Sequence, residues 1–292
     1  EKMKEIKQVA FINKTVPDSH FDLVKIEELL QRDMDHEPSK LHRVNFHVLM
    51  IITAGQGYHT IDFTDYKYHK GVVLTIRKDQ VHKFFRTGDT KGFLVVFTED
   101  FILNFLKDND AQKSLQLFNE ALGSPKVELD ESGFNDITQL VKHLEYEYLH
   151  VRDTYTTGLL RSTLHILITK IYRFKSHEET SVLTKKYLQD FLEFQELVEK
   201  RCFQTKKVMD YAQELGFSTK KLNMVVQSIV QKPAKVFIDE ILMLKIKRLL
   251  INSQLSIKEI AYMAGFDEPS NLFKFFKRYN QSTPENFRQA YL

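Results

Sequence analysis

Two groups of side chains in this 292-residue sequence carry chemistry worth pursuing. The first consists of hydrogen-bonding and cationic residues near the C-terminus. Lys220, Lys221, Asn223, Met224 and Gln227 fall on one face of a helical pattern, and Ser270, Asn271, Phe273, Lys274, Lys277 and Arg278 on the face of another, at an offset of 50. Lysine can donate to guanine acceptors, asparagine and glutamine can pair with adenine, and Phe273 or Met224 can pack on a thymine methyl. Facing predicts Lys220, Asn223, Met224, Gln227, Ser270, Phe273 and Lys274 at base edges. Lys221, Lys277 and Arg278 are expected to contact phosphate and set register.

The second group is His42, His47, His59, His69 and His82. A metal-dependent enzyme would converge a His-x-His pair, a Glu and a further His on one ion. No His-x-His occurs, and no Glu lies between Lys40 and Glu99. A metal centre is therefore disfavoured and no cofactor is expected. Neither a phosphate-cradling glycine loop nor a serine-nucleophile elbow is present.

The elements that must position the first group come from an internal repeat. Val208 to Phe217 matches Ile257 to Phe266 at an offset of 49, after which Leu222 answers to Leu272, Val226 to Phe276 and Pro233 to Pro284. Each copy reads as a short helix with an alanine at a close crossing (Ala212 or Ala261), a Gly-Phe turn, and a second helix. That second helix has one apolar face and one polar, basic face. The arrangement is a helix-turn-helix. One copy alone could be an ordinary α-hairpin, but two copies matching at Ala, Gly-Phe, Leu and Pro argue against that. Gly216, Phe217, Gly265, Phe266, Pro233, Pro284 and Arg288 are read as scaffold. Between the copies, Ala234 to Ile251 is helical throughout, a rod ~27 Å long at ~1.5 Å per residue. Its ends suit two reading helices held about one B-DNA turn apart, ~34 Å.

The first hundred residues read as short strands: Val44 to Thr53, Tyr58 to Phe63, Tyr66 to His69, Val72 to Ile76, Val81 to Phe85 and Phe93 to Phe97. Turns are expected at Ala54 to Gly57, Thr64-Asp65 and Gly88 to Gly92. Such spacing indicates an antiparallel sandwich or barrel. Helices are predicted over Phe101 to Leu106 and Gln112 to Leu122. Two longer amphipathic ones follow, one bearing Ile137 to Val151 and one spanning Thr154 to Phe174. These either cover the barrel, pair with a second chain, or do both. Polar Ser176 to Ser181 reads as a linker.

Composition agrees. With 42% hydrophobic and 28% charged residues the chain is not extensively disordered. Apolar runs such as Val48 to Ile52 fall far short of the ~20 residues that span a bilayer. The N-terminal residues lack the apolar core of a secretory signal. The single cysteine, Cys202, excludes an internal disulfide and points to a reducing cytoplasm. From Gln204 to Leu292 there are fourteen Lys/Arg against eight Asp/Glu, whereas the other 203 residues carry a net charge of −3. A basic module on a slightly acidic body suits a polyanion partner.

The stretch from Ser256 to Arg288, with Ser-Ile-Lys-Glu-Ile-Ala-Tyr-Met-Ala-Gly-Phe, Asn-Leu-Phe-Lys-Phe-Phe-Lys-Arg-Tyr and Ser-Thr-Pro-Glu-Asn-Phe-Arg, resembles the second helix-turn-helix of AraC/XylS-family transcription regulators. The first copy is looser: Val226 replaces a usual Phe, Gln231 a usual Gly, and Met224 stands where arginine is frequent. His47, Gly55-Gln56-Gly57, Gly71 to Ile76 and Asp79 to Phe84 resemble the family's cupin-like sensor. The resemblance implies an α+β chain in four parts: a sensing barrel over 1–130, a helical dimerisation and cover region over 131–176, a linker over 177–184, and a double helix-turn-helix domain over 185–292. It further implies a cytoplasmic DNA-binding activator modulated by a small molecule. The expected partners are double-stranded DNA, the effector, a second copy of the chain and RNA polymerase, with no membrane. His47, Tyr58, Arg77 and His82 are the expected effector contacts. A metal-dependent cupin enzyme and a constitutive regulator are the alternatives.

Overall fold

The structure is a computed structural model that describes residues 6–13, 16, 19–29, 38–84, 89–103, 116–119, 124–176 and 182–291. It divides into two compact units, Lys7–Glu179 and Thr180–Leu292.

The first unit is built on two five-stranded sheets. One runs in the order β1 (Lys7–Val9), β3 (His42–Val44), β8 (Val81–Phe84), β5 (Gln56–Ile61), β6 (Thr64–His69). The other runs β10 (Lys126–Glu128), β7 (Val72–Ile76), β4 (His47–Ala54), β9 (Lys91–Phe97), β2 (Phe21–Lys25). Every pair is antiparallel except β1 with β3, which is parallel and departs from the expected all-antiparallel sheet. The second sheet is buried on both faces. Val48, Met50 and Ile52 of β4 join Val72, Leu74 and Ile76 of β7 in one core. Leu49, Ile51, Val73, Val95 and Phe97 face the other way, into a core shared with α3 (Glu131–His150) and α4 (Thr156–Ser176). Side chains alternate between the faces of a strand, so neighbouring residues serve different cores. Two short helices, α1 (Ile26–Leu29) and α2 (Glu99–Leu103), follow β2 and β9.

Helices α3 and α4 cover the sheet with the stripe Ile137, Val141, Leu144 and Tyr148 on one and Leu160, Leu164, Leu167, Ile168 and Ile171 on the other. Asp130 caps α3 by accepting from the Gly133 N–H at 2.6 Å.

Some strand boundaries fall elsewhere than sequence predicts. The β5–β6 turn is Asp62-Phe63, at φ 45° and 70°, not Thr64-Asp65. Two successive left-handed residues make the two-residue hairpin whose twist matches its strands, and a phenylalanine there hides the signal. The sequence predicts none of β1, β2 and β10, and it runs Val44 to Thr53 as one strand where the chain bends at Asn45-Phe46 to give β3 and β4. Of the helix expected over Gln112 to Leu122, the described residues show a single 3-10 turn, Gln116–Phe118. Residues 104–106, the end of the first predicted helix, and Gly88 of the predicted turn lie outside the described residues, as do 177–181 of the expected linker.

The second unit is helical: α5 (Val182–Arg201), α6 (Val208–Glu214), α7 (Thr219–Val230), α8 (Ala234–Asn252), α9 (Ile257–Met263), α10 (Pro269–Asn280) and α11 (Pro284–Tyr291). Helix α8 is apolar on nearly every side, with Phe237, Ile238, Leu242, Met243, Ile246, Leu250 and Ile251 buried. Such a helix must be enclosed by its neighbours. Helices α5, α6 and α7 pack on it, as do α9 and α11. Arg288 of α11 ties the end of α8 down, donating from Nε to the Leu250 carbonyl and from Nη2 to that of Leu255, each at 2.7 Å.

Candidate nucleic-acid interface and effector cavity

The repeat read in the sequence is also a conformational repeat. Gly216 and Gly265 follow α6 and α9 at φ +68° and +69°. Phe217 N–H donates to the Ala212 carbonyl, and Phe266 N–H to that of Ala261. The second helices end alike, at Gln231 (φ 55°) and Gln281 (φ 54°). A left-handed residue that closes a helix is most often glycine; both copies place glutamine there. The copies differ in one respect. A Cβ on Gly265 would lie 2.1 Å from the Phe203 carbonyl oxygen, whereas none on Gly216 would meet an atom within 4 Å.

Helix α10 exposes Ser270, Asn271, Lys274, Lys277 and Arg278, with Phe273 half-buried. Arg278 lies over the Tyr279 ring at 5.5 Å. Tyr279 donates to Asp239 at 2.8 Å, and burial with that bond pushes its hydroxyl up to about 12. The buried Asp239 also accepts from Lys235 at 2.6 Å, so α10 is pinned to α8 through a satisfied carboxylate.

Helix α7 exposes Lys220, Met224 and Gln227. Ser218 caps it through the Lys221 N–H. Two predicted contact residues are engaged within the protein. The Asn223 carboxamide accepts from the Ala234 N–H at 3.0 Å and donates to the Thr219 carbonyl at 2.9 Å, which joins α7 to the start of α8. Lys221 pairs with Asp190 of α5 at 3.1 Å and lies 3.4 Å over the Phe217 ring. Tyr187 of α5 donates to the Met224 sulfur at 3.9 Å. The face of α7 is thus poorer in cations than that of α10.

In the first unit a cavity of about 610 Å³ lies between the sheets. Val24, Val48, Met50, Ile76, Leu94 and Val96 line it, with a polar group made of His42, His59 and His82. These histidines stand on the adjacent strands β3, β5 and β8, in register His42↔His82 and Ile61↔His82. His59 Nε2 and His82 Nδ1 are 3.2 Å apart, and the His42 and His82 rings 4.2 Å. Burial, helped by His42, pushes His59 down to about 3, so it is neutral. Among the described residues, no group of three His, Cys, Asp or Glu side chains is placed to hold a metal.

Of the four expected effector contacts, His82 lines this cavity. His47 is on the helix-facing side of β4, against Phe97 and Phe118, with Nε2 at 3.5 Å from Glu99. Burial lowers its pKa, which Glu99 opposes, and the Glu99 carboxyl is held down chiefly by His47. Tyr58 is half exposed on β5, and Arg77 follows β7; neither lines the cavity. The cavity instead gains His42, His59 and Asp22. A strand parity count on β5 would have found His59, because Tyr58 and His59 must face opposite ways. Asp22 carried no such signal, since β2 was not foreseen. Its Oδ1 accepts from Tyr148 of α3 at 3.0 Å, and Tyr148 accepts from Asn13 at 2.7 Å. A buried polar chain thus runs from cavity wall to covering helix.

Comparison with known proteins agrees with this architecture. Residues 24–171 match the model of an AraC-like ligand binding domain, and residues 211–290 that of a helix-turn-helix domain. The chain is 23% identical over 257 residues to the HTH-type transcriptional activator RhaR of Enterobacter sp. (strain 638), covering 85% of this chain and 86% of that one. It is 21% identical over 253 residues to the activator RhaS of Citrobacter koseri, covering 85% and 87%. Among solved structures, unsaturated fatty acid-bound ToxT from Vibrio cholerae aligns over 92% of this chain and 94% of its own, at 15% identity and a TM-score of 0.43. No described helix is long and apolar enough to cross a membrane.

Proposed function

Because the chain belongs to the AraC family of transcription regulators, we propose that it activates transcription from a specific operator in response to a small molecule held in the first unit's cavity. One observation carries the DNA-binding part: α7 and α10 are equivalent second helices of a repeated helix-turn-helix, and each leaves a polar face in solvent. Lys274, Ser270 and Phe273 read bases from α10, and Met224, Gln227 and Lys220 from α7. Lys277, Arg278 and Asn271 hold the backbone. Asn223 is a strut between α7 and α8 rather than a base reader, and Lys221 serves α5 before phosphate.

The working boundaries are 1–130 for the sensor, 131–176 for the covering helices, 177–184 for the linker and 185–292 for the DNA-binding part. The chain acts as a homodimer through α4. Tyr155, just before that helix, and Leu159 and Ile166 on it follow steps of four and seven, which lie along one helical face, and all three are exposed. A second copy is the natural cover for such a stripe. RNA polymerase is the downstream partner, and the protein is a regulator, not an enzyme.

Footprinting on the operator tests this reading. Two protected major-groove segments about one helical turn apart, ~10 base pairs, are expected from each protomer. Protection of a single segment, or none on any promoter sequence, would refute it.

A further inference from the structure

Resting on the reading of α7 as a helix that enters the major groove, we infer that Met224 recognises the methyl group of a thymine and that Tyr187 of α5 is the positioning residue that holds it for that contact. Met224 is 48% exposed, on the face of α7 that also carries Lys220 and Gln227. Its thioether has no donor and is a weak acceptor, and the Tyr187 hydroxyl already donates to the sulfur at 3.9 Å. What Met224 has left to offer a base edge is apolar. Of the groups that base pairs show in the major groove, the apolar one is the thymine C5 methyl.

Methionine turns about three side-chain bonds and has no fixed direction of its own. Pinning the sulfur leaves the terminal methyl as the one heavy atom free to turn. Helix α5 is built to pin it, since α7 packs more heavily on α5 than on any other helix. Asp190, three residues beyond Tyr187, pairs with Lys221, three residues before Met224, at 3.1 Å. Residues three apart share a helix face, so one face of α5 engages two successive side chains of α7.

The repeat confines this chemistry to the first copy. Lys274 stands where Met224 does, and Lys258 of α9 stands where Met209 of α6 does; all four are exposed. At both positions a thioether takes the place of an ammonium. A lysine there can draw phosphate with release of counterions, or a guanine acceptor. A methionine can do neither, so at these positions the first copy is suited to apolar contact.

Selection of duplexes from a randomised pool by the full-length chain supplies the probe. Each thymine of a selected duplex is then replaced in turn by deoxyuridine, which removes the C5 methyl and nothing else, and affinity is read by gel shift. One thymine should show a penalty of about fourfold, the worth of one buried methyl at ~0.8 kcal/mol, that Met224→Ala abolishes. Tyr187→Phe keeps the ring and removes the hydroxyl. It should at least halve the same penalty while leaving affinity for the deoxyuridine duplex at the parent's value. A merely structural role for Tyr187 would weaken both duplexes alike and leave their ratio untouched. Added to Met224→Ala, Tyr187→Phe should change affinity for neither duplex, and penalties at other thymines should survive both variants. Absence of any penalty that Met224→Ala removes, or a ratio in Tyr187→Phe equal to the parent's, overturns this inference alone, because a selected duplex upholds the regulator reading. Failure to select any duplex sinks the regulator reading and this inference with it.

Discussion

Met224 and Lys274 answer to one another across the repeat, yet one is a thioether held near Tyr187 and the other an exposed ammonium. A lysine aimed at guanine acceptors contributes base discrimination of ~1–3 kcal/mol. Lys274→Ala is therefore expected to weaken operator binding and relax preference at one base pair, as read by gel shifts over single-base operator variants. Unaltered affinity and unaltered preference would remove Lys274 from the reading face. Asn223 predicts the opposite kind of effect. Its side chain serves the first amide of α8, so Asn223→Ala should destabilise the full chain by ~0.5–2 kcal/mol, the usual cost of losing a cap, while base preference stays as it was. Urea unfolding and the same gel-shift series distinguish these outcomes.

Individual elements set larger costs than single contacts. The turns after α6 and α9 share a left-handed glycine, but only Gly265 also abuts a backbone carbonyl. Gly216→Ala should cost ~1–2 kcal/mol, the strain of a side chain in that conformation. Gly265→Ala adds an overlap that neither backbone can relieve, and should cost well over that amount or prevent folding. Equal urea midpoints for the two variants would mean that the α9 turn does not pack on Phe203 as described. The exposed stripe on α4 is a second element-scale feature. Leu159→Asp with Ile166→Asp should turn a dimer into a monomer in sedimentation equilibrium, because two desolvated carboxylates oppose association. A dimer that survives both changes places the interface elsewhere.

Acid stability belongs to the whole chain. His59 titrates near 6.5 when unfolded and is pushed down to about 3 when folded. Between those values the unfolded chain binds the extra proton, so stability is full above pH 6.5 and falls as the pH drops, by up to about 1.4 kcal/mol per pH unit from this residue. Burial of His47 acts in the same direction. His59→Phe should flatten the decline of unfolding free energy below pH 6.5, and an unchanged slope would show that His59 is not held neutral.

The amino-acid sequence by itself determined the second unit almost completely. Apolar residues at helical spacing, the Ala and Gly-Phe positions and the prolines are local signals, so the helices are legible even though α7 packs most heavily on α5 and α11 on α8. It also determined that strands come first and long amphipathic helices follow. What only the tertiary structure decided is the direction in which particular side chains point. Strand β4 is apolar at His47's even and odd neighbours alike because both its faces are buried, so no alternation along it could show that His47 faces the helices rather than the cavity. Strands β1, β2 and β10 are short and exist through pairing with β3, β9 and β7, far off in sequence. On α7, Asn223 and Lys221 look as polar as any reading residue, and only the placement of Ala234 and Asp190 beside them shows that they are already engaged. Local periodicity specifies elements; which partner a polar atom meets is set by long-range packing.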